Sequence, residues 1–110
     1  AGGIGSALGK LGEFLAGCEI EVRDSDELQA LSALPPGRVM LDNFTPSQIR
    51  EAVAAVRSWN RIPEIEVSGG ITLENSGEHA IEGVDFISVG AITASAPSLD
   101  LSLLVEEKSI

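Results

Sequence analysis

Strand-like and helix-like patterns alternate along this chain of 110 residues. A short β-branched run recurs about every 20–25 residues, with a helical pattern between each pair. Parallel strands cannot be joined by a tight turn and need a crossover of a dozen or more residues, so this rhythm builds successive βα units. The fold class it predicts is α/β with a parallel sheet. Four such units do not close an eight-stranded barrel, which takes roughly 200 residues or more. Two architectures remain: an open four-stranded α/β sheet, or the C-terminal part of an incomplete TIM-like α/β barrel whose earlier strands are absent. A parallel sheet standing alone would leave two edges unpaired, which proteins usually cover. No linker or low-complexity segment divides the chain, so residues 1–110 read as one domain.

The first helix carries Ile4, Leu8, Leu11 and Leu15 on one face. A strand follows over 19–23, then Asp24 or Ser25 caps a helix that turns Leu28, Leu31 and Leu34 inward and ends at Pro35-Pro36-Gly37. The next strand, 38–42, runs into a helix with Thr45 at the N-cap, Pro46 at N1 and Gln48 closing a capping box. Its apolar positions are Ile49, Ala52, Val53 and Val56, and it frays at Trp59-Asn60. A third strand spans 62–68, and a weaker helix, interrupted by Gly77, runs from Thr72 to Gly83. The last strand, 84–89, leads through Gly90-Ala91 into an apolar tail.

Side chains alternate across a strand. Ile20 and Val22 therefore oppose Glu19, Glu21 and Arg23, and Ile65 and Val67 oppose Glu64, Glu66 and Ser68. Parallel sheets are normally apolar on both faces, so carboxylates on one face point either to a polar cavity inside a barrel or to a half-barrel whose inner face is wet. Asp42 ends the run Val39-Met40-Leu41 at the C-terminal end of a strand, where α/β proteins place ligands; the plainer reading is a turn aspartate. With Glu21 on the neighbouring strand it could hold Mg²⁺ together with substrate oxygens, or stabilise a developing cation directly. Ser68-Gly69-Gly70 lets the backbone approach an anion ahead of a helix N-terminus, and Ser88-Val89-Gly90-Ala91 repeats the arrangement one strand later. Such turns after the last two strands match the phosphate site of an α/β barrel, although either alone is usually just a turn. His79 falls on the solvent face of the weak helix, and Cys18 reads as a small core residue.

Seventeen acids against seven Lys+Arg give a net charge of −10, which repels phosphate backbones and anionic lipid, so neither nucleic acid nor a membrane surface is expected as a partner. No apolar run approaches the roughly 18 residues of a membrane span, and no basic stretch precedes a hydrophobic one at the start. One cysteine cannot form an internal disulfide, which fits a reducing, cytoplasmic setting. An opening Ala1 suggests a polypeptide that begins partway into something longer.

Several ordered segments together resemble the quinolinate phosphoribosyltransferases: Glu19-Ile20-Glu21-Val22, Met40-Leu41-Asp42-Asn43-Phe44, Ser68-Gly69-Gly70-Ile71-Thr72-Leu73-Glu74-Asn75, Gly83 to Ala91, and Ser95-Ala96-Pro97-Ser98-Leu99-Asp100. The resemblance covers nearly the whole chain and only the C-terminal part of the family's barrel. It implies an enzyme of de novo NAD biosynthesis that joins quinolinate to phosphoribosyl pyrophosphate with Mg²⁺, giving nicotinate mononucleotide, CO₂ and pyrophosphate. It also implies a homo-oligomer, a dimer or hexamer, in the full-length form. Glu21 and Asp42 fall on the family's acidic residues facing ribose and metal. Ser68, Gly69 and Gly70, with Val89, Gly90 and Ala91, fall on its 5′-phosphate loops. The run Thr93-Ala94-Ser95 stands where bacterial members typically read Thr-His-Ser. The basic residues that grip the two anionic substrates lie upstream in the family, so the isolated chain is expected to be inactive. Other phosphate-binding barrels, such as thiamin-phosphate or indole-glycerol-phosphate synthases, share the glycine turns but not the Leu-Asp-Asn-Phe segment. A truncated, non-catalytic chain docked on a full-length subunit is a third reading.

Overall fold

Alternating residue type gives every strand one apolar side, and those sides share a single core. A computed structural model describes residues 2–90 and 92–96, with side chains from residue 9 onward. Its elements in chain order are α1 (Gly2–Ala16), β1 (Glu19–Val22), α2 (Ser25–Ala30), β2 (Arg38–Asp42), α3 (Pro46–Arg57), β3 (Glu64–Ser68), α4 (Ser76–His79), β4 (Phe86–Val89) and β5 (Ile92–Ser95). The strands form one sheet in the order β1-β2-β3-β4-β5. Pairing is parallel from β1 to β4 and antiparallel between β4 and β5. A sequential parallel order is that of a singly wound sheet, in which successive crossovers progress one way and cover the same face.

Val22, Val39, Leu41, Ile65, Val67 and Ile87 stand on that covered face, each at most 3% exposed, against Leu28 of α2 and Ile49, Ala52, Val53 and Val56 of α3. Full burial of each such aliphatic side chain contributes about 1.5–3 kcal/mol. Helix α3 starts where its local chemistry dictates. The Thr45 hydroxyl accepts from the Gln48 amide at 3.2 Å, while the Gln48 side chain accepts from the Thr45 amide at 2.9 Å. Thr45→Ala removes the first of these bonds, and we expect a loss of about 1 kcal/mol, read as a lower midpoint in urea with an unchanged slope.

Four expectations need correction. The helix expected over 72–83 is the single turn Ser76–His79, because the Thr72 amide donates to the Asn75 side chain at 2.7 Å and the Asn75 amide to the Thr72 hydroxyl at 3.3 Å. This reciprocal pair holds the preceding residues in a turn. His79 is buried rather than solvent-facing, with Nδ1 2.9 Å from the Asn75 carbonyl oxygen. On α1, Leu11 is 42% exposed and Leu15 half-buried, so neither is sunk in this core; Ile4 and Leu8 lie outside the described side chains. After β4 the chain doubles back through Gly90, at φ 59°, to pair β5 along the edge of β4. Ile92 and Ala94 take the covered side and Thr93 and Ser95 the other, so this edge of the parallel sheet is covered from within the chain.

Candidate functional site on the polar face of the sheet

The opposite face of the sheet is polar in register. Glu19, Arg38 and Glu64 form one row across β1, β2 and β3; Glu21, Met40, Glu66 and Phe86 form the next; Asp42 pairs with Ser68 beyond them. Arg38 organises the middle of this face. Its guanidinium lies 3.3 Å from Glu64, 3.4 Å from Glu66 and 4.0 Å above the Phe86 ring. Glu66 is only 5% exposed, and a carboxylate that far from water needs partners. It has Arg38 on one oxygen and the Ser88 hydroxyl, donating at 3.2 Å, on the other. Partial burial, with the Glu66 carboxylate close by, holds the Glu19 carboxyl above its ordinary range against the opposing pull of Arg38.

At the C-terminal ends of β2 and β3 the chain folds tightly on itself. Asn43 has φ 61°, in the left-handed region, and its amide donates to the Ser68 carbonyl at 2.9 Å. Gly69 and Gly70 follow Ser68 at φ 84° and 68°. A Cβ on Gly69 would lie 2.7 Å from Asp42 Oδ1 and 2.8 Å from the Asn43 amide nitrogen, so the Asp42 carboxylate occupies the space that glycine leaves open. The amides of Gly69 and Gly70 have no acceptor among the described residues, whereas the Thr72 amide is taken by Asn75.

The sequence-predicted residues are therefore brought together unequally. Asp42, Ser68, Gly69 and Gly70 meet at one corner, and Glu21 lies one diagonal step away on the same face, exposed to solvent. Val89 and Gly90 lie at the neighbouring strand end, but the turn there opens a hairpin rather than a helix; Ala91 lies outside the described residues. With α4 reduced to four residues, no helix N-terminus follows directly on either glycine turn among the described residues, and what they offer an anion is backbone N–H groups in positive-φ turns. Sequence reading passed over Arg38, Asn43 and the burial of Glu66. Strand parity does place Arg38 with Met40 and Asp42, so that signal was available.

Acids at strand ends beside positive-φ glycine turns, on a singly wound parallel sheet, define one of the α/β proteins that hold ligands at the carboxyl ends of their strands. Comparison narrows this class. The family model described as quinolinate phosphoribosyl transferase, C-terminal domain, matches residues 1–104, and the chain belongs to that family. It is 43% identical over 94 residues to a probable nicotinate-nucleotide pyrophosphorylase (carboxylating) of Methanocaldococcus jannaschii, covering 82% of this chain and 33% of that protein. Against the protein of the same name from Archaeoglobus fulgidus the identity is 40% over 107 residues, covering 96% and 42%. The structure of the nicotinate-nucleotide pyrophosphorylase from Francisella tularensis superposes with a TM-score of 0.61 at 40% identity, over 81% of this chain and 32% of that one. The chain thus spans about a third to two-fifths of the length of these relatives.

Proposed function

We propose that this chain supplies the ribose-phosphate half of a site that transfers a phosphoribosyl group from phosphoribosyl pyrophosphate to quinolinate, as the names of its relatives suggest. In this reading the sheet is part of a barrel wall with its polar face turned inward. The full enzyme works as a cytoplasmic homo-oligomer whose other segments bring the cations that grip quinolinate and pyrophosphate. The observation that carries the reading is the packing of the Asp42 carboxylate into the space left by Gly69, which puts an acid at one strand end beside a turn whose amides have no acceptor among the described residues.

The 5′-phosphate sits on the amides of Gly69 and Gly70, with the Val89-Gly90 turn of the neighbouring strand end completing its loop. Departure of pyrophosphate leaves positive charge on the ribosyl ring, and Glu21 and Asp42, on one face of neighbouring strands, lower that barrier electrostatically. The quinolinate ring nitrogen forms the new bond to the anomeric carbon, the bond to pyrophosphate breaks, and the carboxylate next to that nitrogen leaves as CO₂, the electron pair left on its ring carbon taking up a proton from solvent. Two carboxylates on neighbouring strands fit Mg²⁺, which is commonly held by one or two acids and completed by substrate oxygens. Glu21 and Asp42 would hold it, and it would offset the charge of the diphosphate.

Titrating the 110-residue chain with ribose 5-phosphate, followed by amide NMR, tests the reading. The expected result is saturable shifts at Gly69, Gly70 and Gly90, with the α3 amides unmoved. Shifts scattered over the surface, or none, would overturn it.

A further inference from the structure

Strand β4 is the most weakly laddered member of the parallel set. It shares two registered pairs with β3, Glu66 with Phe86 and Val67 with Ile87, whereas β2 and β3 share five and β1 and β2 share four. Two carboxylates supplement it. Asp85, just before β4, accepts from the Ile65 amide at 2.8 Å while its own amide donates to the Ile65 carbonyl at 2.8 Å, which fastens the start of the strand. At the other end, beyond the last registered pair, the fastening is Glu66, whose second oxygen takes the Ser88 hydroxyl proton. With that proton committed, the Thr93 hydroxyl, 3.0 Å away, donates to the Ser88 oxygen. Ser88 and Thr93 face each other across the hairpin, Ser88 two residues before Gly90 and Thr93 three after it.

From this arrangement we propose that Glu66 is a positioning residue, a buried strut that through Ser88 and Thr93 sets the Gly90 corner against the Gly69-Gly70 corner at the end of its own strand. The inference deepens the proposed function, since it concerns how the two halves of one phosphate site are held in register. Arg38 fixes the other oxygen of Glu66, so the carboxylate has little freedom to follow a moving β4. A hydrogen bond to a buried, charge-paired carboxylate is among the stronger ones available, so its loss should show as local opening of the hairpin rather than as general unfolding.

The test compares Glu66→Ala, Glu66→Gln and Ser88→Ala in the 110-residue chain. Hydrogen exchange needs no ligand. Amides of residues 89 and 92–95 should exchange about tenfold faster in Glu66→Ala and Ser88→Ala, measured relative to Ala52–Val56 of α3, and should stay within about threefold of the parent in Glu66→Gln, which keeps a carbonyl oxygen for Ser88. Ser88→Ala leaves the Arg38 pairing intact and so serves if Glu66→Ala fails to fold. In the second arm, the dissociation constant of ribose 5-phosphate should rise about five- to tenfold in the two alanine variants and be restored in Glu66→Gln. Equal acceleration in hairpin and α3, no acceleration, or Glu66→Gln as impaired as Glu66→Ala would each overturn the strut. If the parent chain itself does not bind ribose 5-phosphate, the proposed function falls and the exchange arm still decides the strut. If all variants bind as the parent does, the strut falls and the proposed function stands.

Discussion

Gly69→Ala is expected to cost about 1–3 kcal/mol of folding stability and to remove measurable affinity for ribose 5-phosphate. Two effects add. At φ 84° an L side chain is strained whatever space surrounds it, and here the space is already taken. The new Cβ would meet Asp42 Oδ1 at 2.7 Å, the Asn43 amide nitrogen at 2.8 Å and Asn43 Oδ1 at 2.9 Å. The carboxylate could swing aside, but the amide nitrogen is backbone and is engaged at 2.9 Å with the Ser68 carbonyl, so relief on that side breaks a hydrogen bond between β2 and β3. Either movement spoils the corner where the phosphate is proposed to sit. Gly77→Ala is the internal control, because its Cβ would touch nothing within 4 Å and its φ is not positive; in a helical turn it should be neutral or stabilise by up to about 1 kcal/mol. Denaturant midpoints and ribose 5-phosphate titrations of the two variants side by side check this. Equal stability and equal binding would show that Gly69 is not needed where it stands.

What the sequence disclosed follows from the range of the forces involved. Helix α3 was legible to the residue at its start because Thr45, Pro46 and Gln48 settle that end among themselves. Strand β2 was legible because Pro35-Pro36-Gly37 precede the apolar run Val39-Met40-Leu41, which Asp42 ends. Helix α4 was overestimated because the Thr72–Asn75 exchange of hydrogen bonds competes with the helix, and apolar periodicity carries no sign of it. Strand β5 was missed for a different reason. Four residues of alternation are a faint signal, and what makes them a strand is the unpaired edge of β4, a tertiary fact. The site divides in the same way. Asp42, Ser68 and Gly69 could be placed from parity and turn chemistry, but parity made Glu66 one acid among several. Its burial comes from Arg38, Phe86 and Ser88, which lie on two other strands and reach it only once the register is set.

The proposed acidic pair makes a prediction whose sign reverses with the metal. The chain carries a net charge of −10, and phosphoribosyl pyrophosphate brings several negative charges of its own. Without divalent cation, Glu21 and Asp42 can only repel the diphosphate end of that ligand, so Glu21→Gln and Asp42→Asn should each tighten its binding in a chelating buffer by a few-fold, and the double variant by about tenfold. In millimolar Mg²⁺ the same substitutions should weaken binding, by about tenfold singly and about a hundredfold together, because each removes a ligand that the cation would share with the diphosphate oxygens. Ribose 5-phosphate lacks the diphosphate and serves as the reference: the Asp42 carboxylate beside Gly69 repels its phosphate with or without Mg²⁺, so any tightening in Asp42→Asn should be the same in both buffers and its sign should not reverse. Asp42→Asn also keeps an oxygen beside Gly69, so the corner that holds the phosphate stays filled and the comparison isolates charge from packing. Calorimetric titration of both ligands, with and without Mg²⁺, reads all of these at once. Were Asp42→Asn to weaken phosphoribosyl pyrophosphate equally in both buffers, the carboxylate would be acting through the shape of the turn, and the assignment of the pair to ribose and metal would fail while the glycine corner survived.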